Sequence, residues 1–185
     1  MENGKNASLA DDILSNINSE YEKIVKEALK NDFDCDIPNS TLDHAVILSQ
    51  GLLKASQKDI KILTGELNSP YYTRVRDSLV EATDRVAKRR GKIRILIWNE
   101  VSQKNDEFEK LLAKYKGVIE KKEAKKPNSD LINHFFVSDS KRYRIENPHT
   151  QEELRERKVC GKGNFNNPAK AKILDEIFEK LWQTT

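Results

Sequence analysis

The sequence of 185 residues is poor in several residue types whose absence limits what the protein can be. It contains 2 Cys, 1 Met, 5 Pro and 7 Gly, and 7% of its residues are aromatic. Two cysteines cannot build a disulfide scaffold, so Cys35 and Cys160 are expected to be structural or incidental thiols in a reducing cytosol. Repeats, linkers and low-complexity segments are absent.

Long apolar runs are absent as well. No stretch approaches the ~20 apolar residues that a membrane-spanning helix needs, and the start of the sequence, MENGKNASLADD, is too acidic and polar for a signal or transit peptide. We therefore expect a cytoplasmic protein without membrane contact. Periodic Leu, Ile, Val and Phe exclude a disordered chain, and the length suits one domain with an appended segment.

Motifs for common cofactors are also absent. The sequence has no GxxxxGK[ST], GxGxxG or GxSxG. His44, His134 and His149 lack the spacing of metal ligands, and the cysteines are isolated. We expect neither a metal nor a cofactor. His44 lies on an otherwise apolar stretch, which favours a packed structural histidine over a catalytic one.

The net charge of +3 conceals an uneven distribution. Residues 1–36 carry nine acids and four bases, whereas residues 37–185 carry 29 bases and 21 acids. The acidic leader, residues 1–36, is therefore joined to a basic body with a balance of +8. A basic body suits a polyanionic partner such as nucleic acid, although solvated lysine faces are common in proteins.

Hydrophobic spacing predicts an α/β domain with a mixed β-sheet flanked by helices and an extra N-terminal helix. The predicted helices cover 9–30, 42–56, 71–90, 102–116 and 168–182. Short strands are predicted at 59–65, 92–98, 117–126 and, less distinctly, 158–165. The strand, helix and strand of 59–98 predict a parallel βαβ unit.

The segment HFFVSDSKRYRIE, residues 134–146, predicts a β-hairpin that turns at Ser138–Lys141. Two-residue alternation puts Arg144 and Glu146 on one face of the second strand. One interpretation is a phosphate site with His134 as nucleophile or acid and Arg144 as anion clamp. The alternative is an ordinary hairpin whose Asp139 stabilises the turn and whose charges pair on its surface.

The order of several segments resembles the phospholipase-D-like superfamily, in particular its stand-alone, single-domain bacterial members. These segments are IPNSTLDHAVILSQGLLKASQKDIKILTGEL, RRGKIRILIW, HFFVSDSKRYRIE and NFNNPAKAKILDEIFEKLW, and the resemblance covers about residues 37–183. It implies division into the acidic leader, 1–36, and a phospholipase-D-like α/β domain, 37–185. It also implies a homodimer in which two such hairpins share one cleft.

The superfamily's signature, HxKxxxxD, is degenerate in this sequence. In the family its histidine attacks phosphorus, its lysine holds the phosphate oxygens and its aspartate orients the groups around them. Placing Asp139 at the aspartate position puts His134 at the lysine and Ile132 at the histidine. Placing His134 as the nucleophile puts Phe136 at the lysine and Lys141 at the aspartate. Neither alignment restores all three residues.

The resemblance leaves a rearranged site as a hypothesis. Its candidate catalytic residues are His134, Asp139, Arg144 and Glu146. Ligands of α/β sheets usually bind at the carboxyl ends of parallel strands. Groups from the loops that follow the first two predicted strands are therefore added as candidates, namely Thr64, Gly65, Glu66, Trp98, Asn99 and Glu100.

Two classes of function follow. The first is a divergent nuclease or phosphodiesterase acting on nucleic acid, with bacterial defence as the setting by analogy. Its candidate nucleic-acid-binding residues are Lys88, Arg89, Arg90, Lys121, Lys122, Lys125 and Lys126. The second is a catalytically inactive interaction module that serves dimerisation or partner assembly. The helix in the acidic leader could cover an open face of the domain, pair with its copy, or dock onto a protein partner.

Overall fold

A computed structural model describes residues 3–65, 70–98, 106–124, 134–147, 153, 156 and 158–185. The helices are α1 (Asn3–Asn31), α2 (Leu42–Ala55), α3 (Pro70–Lys88), α4 (Asp106–Lys114) and α5 (Pro168–Gln183). The strands are β1 (Ile37–Asn39), β2 (Asp59–Thr64), β3 (Lys92–Ile97), β4 (Ile119–Glu123), β5 (His134–Ser138), β6 (Arg142–Glu146) and β7 (Gly161–Asn164).

The strands form one mixed sheet of seven strands in the order β1-β7-β6-β5-β2-β3-β4. Strands β2, β3 and β4 are parallel, and β2–β5, β5–β6, β6–β7 and β7–β1 are antiparallel. The predicted mixed sheet, parallel βαβ unit and hairpin are therefore confirmed. The sequence prediction has no strand at β1, a segment of three residues that contains Pro38. Proline is tolerated in a strand at the edge of a sheet, which is where β1 lies.

Helices cover both faces of the sheet, and each face has its own hydrophobic core. On one face, side chains such as Ile60, Ile95 and Phe136 pack with residues of α1, α2, α3 and α4. On the other face, side chains such as Leu96 and Phe135 pack against α5. This alternation puts neighbouring residues of one strand into different environments.

Helix α1 begins at Asn3, earlier than the residue 9 predicted from apolar spacing, and its carboxyl-terminal half packs on the body. Tyr21, Val25 and Ala28 are buried in the same core as α2 and β2. Ile13 and Ile17, nearer the start of the helix, are 51% and 48% exposed. The acidic leader therefore shares a core with the basic body, and its status as a separate unit stays a prediction.

None of the helices in the described parts of the chain is long and apolar enough to cross a membrane.

The ends of two helices follow local rules of helix capping. The Thr41 side chain accepts a hydrogen bond from the His44 amide at 3.1 Å and so caps α2, as its residue type predicts. Asn167 caps α5 in the same way, with Pro168 in the first turn.

Candidate active site at the carboxyl end of the parallel strands

A pocket of about 60 Å³ lies between the sheet and the helices α2 and α3, at the carboxyl end of β2. Aliphatic and aromatic side chains such as Leu53 and Phe136 form most of its wall. Its polar lining residues are Ser49, Thr64, Tyr71, Tyr72, His134, Arg144 and Glu146. The antiparallel β5 and β6 bring their own first and last residues to this end of the sheet.

His134 and Glu146 face each other across the hairpin, because they are directly paired in the register of β5 and β6. His134 Nδ1 lies 3.5 Å from Glu146 Oε1, and the Glu146 side chain is 10% exposed. Burial alone would raise the pKa of Glu146, but the Arg144 guanidinium and the His134 imidazole lower it to about 2. The carboxylate is therefore ionised at neutral pH, and it can hold a proton on Nδ1 and leave Nε2 as the basic nitrogen.

Arg144 is a buried cation that the protein itself neutralises. Its Nη2 donates a hydrogen bond to Glu146 Oε2, and its Nε donates to Asn39 Oδ1 at 3.3 Å. The guanidinium also lies over the Tyr71 ring, 5.5 Å from the ring centre. Burial opposes the charge, but Glu146 raises the pKa of Arg144 above its usual value. Paired charges of this kind add no net charge to the pocket.

The start of the loop after β2 packs against His134. A side chain at Gly65 would place its Cβ 3.1 Å from His134 Cε1 and 3.5 Å from Nε2, so the imidazole edge lies directly against this glycine. The Tyr71 hydroxyl donates to Ser49 Oγ at 2.6 Å, and the Tyr72 and Thr64 side chains are hydrogen bonded. Burial raises the pKa of both tyrosines, so they stay neutral hydroxyls.

Asp139 lies at the other end of the hairpin and does not reach the pocket. Its carboxylate accepts hydrogen bonds from the backbone amides of Gln57, Lys58 and Asp59 at 2.9, 2.9 and 3.1 Å. Asp139 and Ser140 both have positive φ, as the turn requires. The structure thus brings together His134, Arg144 and Glu146 and leaves the fourth predicted catalytic residue in a structural position.

The predicted nucleic-acid-binding residues separate into different environments. Lys121 Nζ lies 2.8 Å from Glu109 Oε1, and Lys122 Nζ donates to the Trp182 carbonyl at 2.8 Å. These two lysines point to opposite faces of the sheet because they are neighbours in β4. Lys88, Arg89 and Arg90 are exposed. Lys125 and Lys126, like Glu66, Asn99, Glu100, Ile132 and His149, lie outside the described residues.

Other candidates have structural surroundings. The His44 ring stacks on Tyr21 at 4.0 Å, between α1 and α2, and burial lowers its pKa. Trp98 is buried in the core under α5. The cysteines are free and exposed, and the described residues contain no cluster of His, Cys, Asp or Glu that could hold a metal ion.

Sequence reasoning missed four polar residues of the site, which are Asn39, Ser49, Tyr71 and Tyr72. Asn39 reaches Arg144 through a contact between residues 105 apart in the chain, which no local pattern reveals. Tyr71 had a usable signal, since the first turn of a helix that follows a strand lies beside the carboxyl end of that strand.

Comparison with known proteins gives a likeness at the level of structure. No family model matches the sequence, and no curated protein matches it. TrmBL2, an archaeal chromatin protein with a novel mode of DNA binding, superimposes with a TM-score of 0.61 at 10% identity, over 98% of this chain and 66% of its own. The chain thus spans just under two thirds of the length of TrmBL2.

Two further solved structures superimpose on this chain over most of their own length. Nuc, a phospholipase D family member from Salmonella typhimurium, gives a TM-score of 0.60 at 13% identity, over 82% of this chain and 95% of its own. NucT from Helicobacter pylori gives a TM-score of 0.61 at 11% identity, over 82% of this chain and 97% of its own. The fold is therefore phospholipase-D-like, as the resemblance implied, with an additional N-terminal helix.

Proposed function

We propose that the chain is a divergent phosphodiesterase that acts on nucleic acid through His134. The observation that carries the proposal is the pairing of His134 with an ionised Glu146 in the pocket at the carboxyl end of β2. A carboxylate behind an imidazole is the arrangement that orients a histidine for nucleophilic or acid–base work. The likeness to a phospholipase D family member supports the same chemistry.

The position of Arg144 supports the alignment in which His134 is the nucleophile. That alignment puts Phe136 where the superfamily has its lysine. Arg144 lies directly opposite Phe136 in the register of β5 and β6. The cation at this place therefore comes from the neighbouring strand and, unlike the superfamily's lysine, acts on Glu146 and not on the phosphate, which makes the site a rearranged one.

In the proposed mechanism, the Glu146 carboxylate stays ionised, accepts a hydrogen bond from the Nδ1–H of His134 and so fixes the tautomer of the imidazole. Nε2 then attacks the phosphorus of the diester while the leaving oxygen takes a proton from water or from a neighbouring hydroxyl. Water releases the phosphoryl group from His134 in a second step. Arg144 acts through Glu146, because it holds one carboxylate oxygen and leaves the other for the histidine.

A second candidate function is a non-catalytic interaction module, and one observation favours it. Among the described residues that line the pocket, Arg144 is the only Lys or Arg, and Glu146 neutralises it. A diester anion would then have to enter a pocket without net positive charge. An inactive phospholipase-D-like domain would keep the fold and lose the attraction for phosphate.

Cleavage assays with histidine variants test the first proposal. Wild type, H134A and H134N are incubated with duplex DNA, single-stranded DNA, RNA and bis(p-nitrophenyl) phosphate, each with and without Mg²⁺. We expect wild type to cleave at least one substrate, and both His134 variants to lose on the order of 10²-fold or more of that activity. H44N is the matched control, since His44 lies outside the pocket, and it should keep the wild-type rate.

The two candidates give opposite results. If wild type cleaves none of the substrates, the enzyme proposal fails and the interaction module is supported. If cleavage survives in folded H134A, as judged by circular dichroism, the activity does not come from this site. A loss in E146Q together with a changed pH profile would support the orienting role of Glu146.

The cellular location, oligomeric state, partners and biological role are also proposals. We propose a cytoplasmic homodimer in bacterial defence, in which the superfamily's paired hairpins would bring two His134 residues to one cleft. The part of α1 around the exposed Ile13 and Ile17 is proposed as a contact for the second copy or a protein partner. Light scattering of full-length protein and of an I13S/I17S variant tests whether α1 affects the oligomeric state.

A further inference from the structure

The loops that precede β2, β3 and β4 meet at the amino end of the parallel strands. The Lys92 amide donates to the Lys58 carbonyl at 3.0 Å, and the Ile93 amide donates to the Val118 carbonyl at 2.8 Å. A Cβ at Gly91 would lie 1.9 Å from the Lys58 carbonyl oxygen, so only glycine allows the first two loops to come this close. Cations in these loops are therefore neighbours in space although they are far apart in sequence.

Five cations at this end form what we call the cationic edge: Lys58, Lys88, Arg89, Arg90 and Lys116. All five side chains are exposed. In the parts of the chain that the structure describes, none of the five forms an ion pair. Arg90 has a φ of 55°, which ends α3 and turns the chain at the edge.

Acidic residues near the cationic edge are engaged by other partners. Asp139 accepts hydrogen bonds from three backbone amides and from Arg142. Asp84 accepts the Tyr115 hydroxyl at 2.5 Å, and Glu120 Oε1 lies 2.7 Å from Lys92 Nζ. Among the described residues, none of these carboxylates pairs with a cation of the edge, so the five cationic side chains stay available to an extended polyanion.

We propose that the cationic edge binds the phosphate backbone of double-stranded nucleic acid without sequence preference. This inference takes nucleic acid as the polyanion from the proposed function, but it does not need cleavage. The edge lies about 20 Å from His134, since the six residues of β2 separate them at about 3.3 Å each. Binding and chemistry are thus assigned to opposite ends of the sheet.

The composition of the edge favours a duplex over a lipid surface or a single strand. A lipid surface would be expected to meet exposed apolar side chains, and the exposed large hydrophobic residues among those described lie in α1, α5 and at Phe33. Single strands need aromatic stacking, and Tyr115, beside Lys116, is 9% exposed with its hydroxyl bonded to Asp84. The exposed Lys and Arg side chains of the edge can therefore contact the phosphates of a duplex, which needs neither apolar insertion nor aromatic stacking.

Salt titration of full-length protein with a 20-bp duplex of arbitrary sequence tests the proposal. Neutralising five phosphates predicts a slope of log K against log [salt] of about −4.5, and the variant K58Q/R89Q/R90Q should reduce it to about −1.8. The matched control is K23Q/K26Q/K30Q, which removes the same charge from exposed lysines of α1. The control should keep the wild-type slope.

Three results would overturn the proposal. These are wild-type slopes in K58Q/R89Q/R90Q, no duplex binding by wild type at ~50 mM salt, or stronger binding to phosphatidylserine vesicles than to the duplex. Binding by H134N is measured in parallel and should equal that of wild type. A protein that binds but does not cleave would contradict only the enzyme proposal, and one that cleaves with the triple variant unchanged would contradict only the cationic edge.

Discussion

The two ends of the parallel strands treat charge in opposite ways. At the carboxyl end, Arg144 and Glu146 are buried and paired, with side chains 5% and 10% exposed. At the amino end, Arg89 and Arg90 are exposed and have no ion-pair partner among the described residues. Charges at the first end therefore determine stability and orientation, whereas those at the second remain available to a partner.

This comparison explains why total charge says little about function. The net charge of +3 counts a neutralised Arg144 and an exposed Arg89 equally. A buried charge is costly unless it is paired, and removing its partner leaves that cost uncompensated. An exposed charge costs almost nothing to keep or to remove. Substitutions at the two ends should therefore separate stability from binding.

The largest expected effect is the loss of Arg144. R144M leaves Glu146 buried without its cation, which should lower the free energy of unfolding by about 4 kcal/mol. The double variant R144M/E146L removes both charges and should recover most of the loss, because an apolar pair of similar volume carries no desolvation cost. Urea denaturation measures both values.

R89M is the control at the amino end, and it should change the free energy of unfolding by less than about 0.5 kcal/mol. Equal effects of R144M and R89M would remove the contrast between the two ends. Failure of the double variant to recover stability would mean that the pair does more than balance charge.

The second effect is a loss of stability in acid that comes from Glu146. Its pKa in the folded protein is about 2, against a usual value of 4.5. Because the folded value is the lower one, the stabilisation is complete above about pH 4.5 and is lost as the pH falls towards 2. The contribution is roughly 3 kcal/mol.

The measurement is the free energy of unfolding of wild type and of R144M/E146L between pH 6 and pH 2.5. Glu179, whose pKa hydrogen bonding to Arg94 also lowers to about 2, is present in both proteins and contributes equally. The wild-type curve should therefore fall more steeply below about pH 4.5. Parallel curves would show that Glu146 is not held ionised by its neighbours.

Local sequence patterns were sufficient for most of the fold and for the centre of the site. Alternation along 134–146 predicts that Arg144 and Glu146 share a face, and the register of the hairpin then brings His134 to Glu146. Apolar spacing located the helices and the parallel strands. The strand β1 was not predictable in this way, because a strand tolerates Pro38 only at the edge of a sheet, and local sequence does not reveal the edge.

The surroundings of the charged side chains could not be predicted from the sequence, because their partners come from distant segments of the chain. Lys121 and Lys122 form a basic run in sequence, yet one meets Glu109 of α4 and the other meets Trp182 at the end of α5. Lys58 and Arg90 are far apart in sequence and lie in loops that touch. A list of basic residues cannot separate these cases without the sheet order.

The third prediction concerns Asp139, for which the sequence left two alternatives, a candidate catalytic residue and a residue that stabilises the hairpin turn. D139A removes the acceptor of three consecutive backbone amides, at Gln57, Lys58 and Asp59, and should lower the free energy of unfolding by about 2 kcal/mol. It should also weaken duplex binding, because the carboxylate fixes the loop that carries Lys58. D77A is the control, since the Asp77 side chain is 85% exposed. This substitution should change the free energy of unfolding by less than about 0.5 kcal/mol. If D139A is no worse than D77A, the hairpin turn does not hold the cationic edge, and the amino end owes its arrangement to its other contacts, such as the close approach at Gly91 and the hydrogen bond from Lys92 to Lys58.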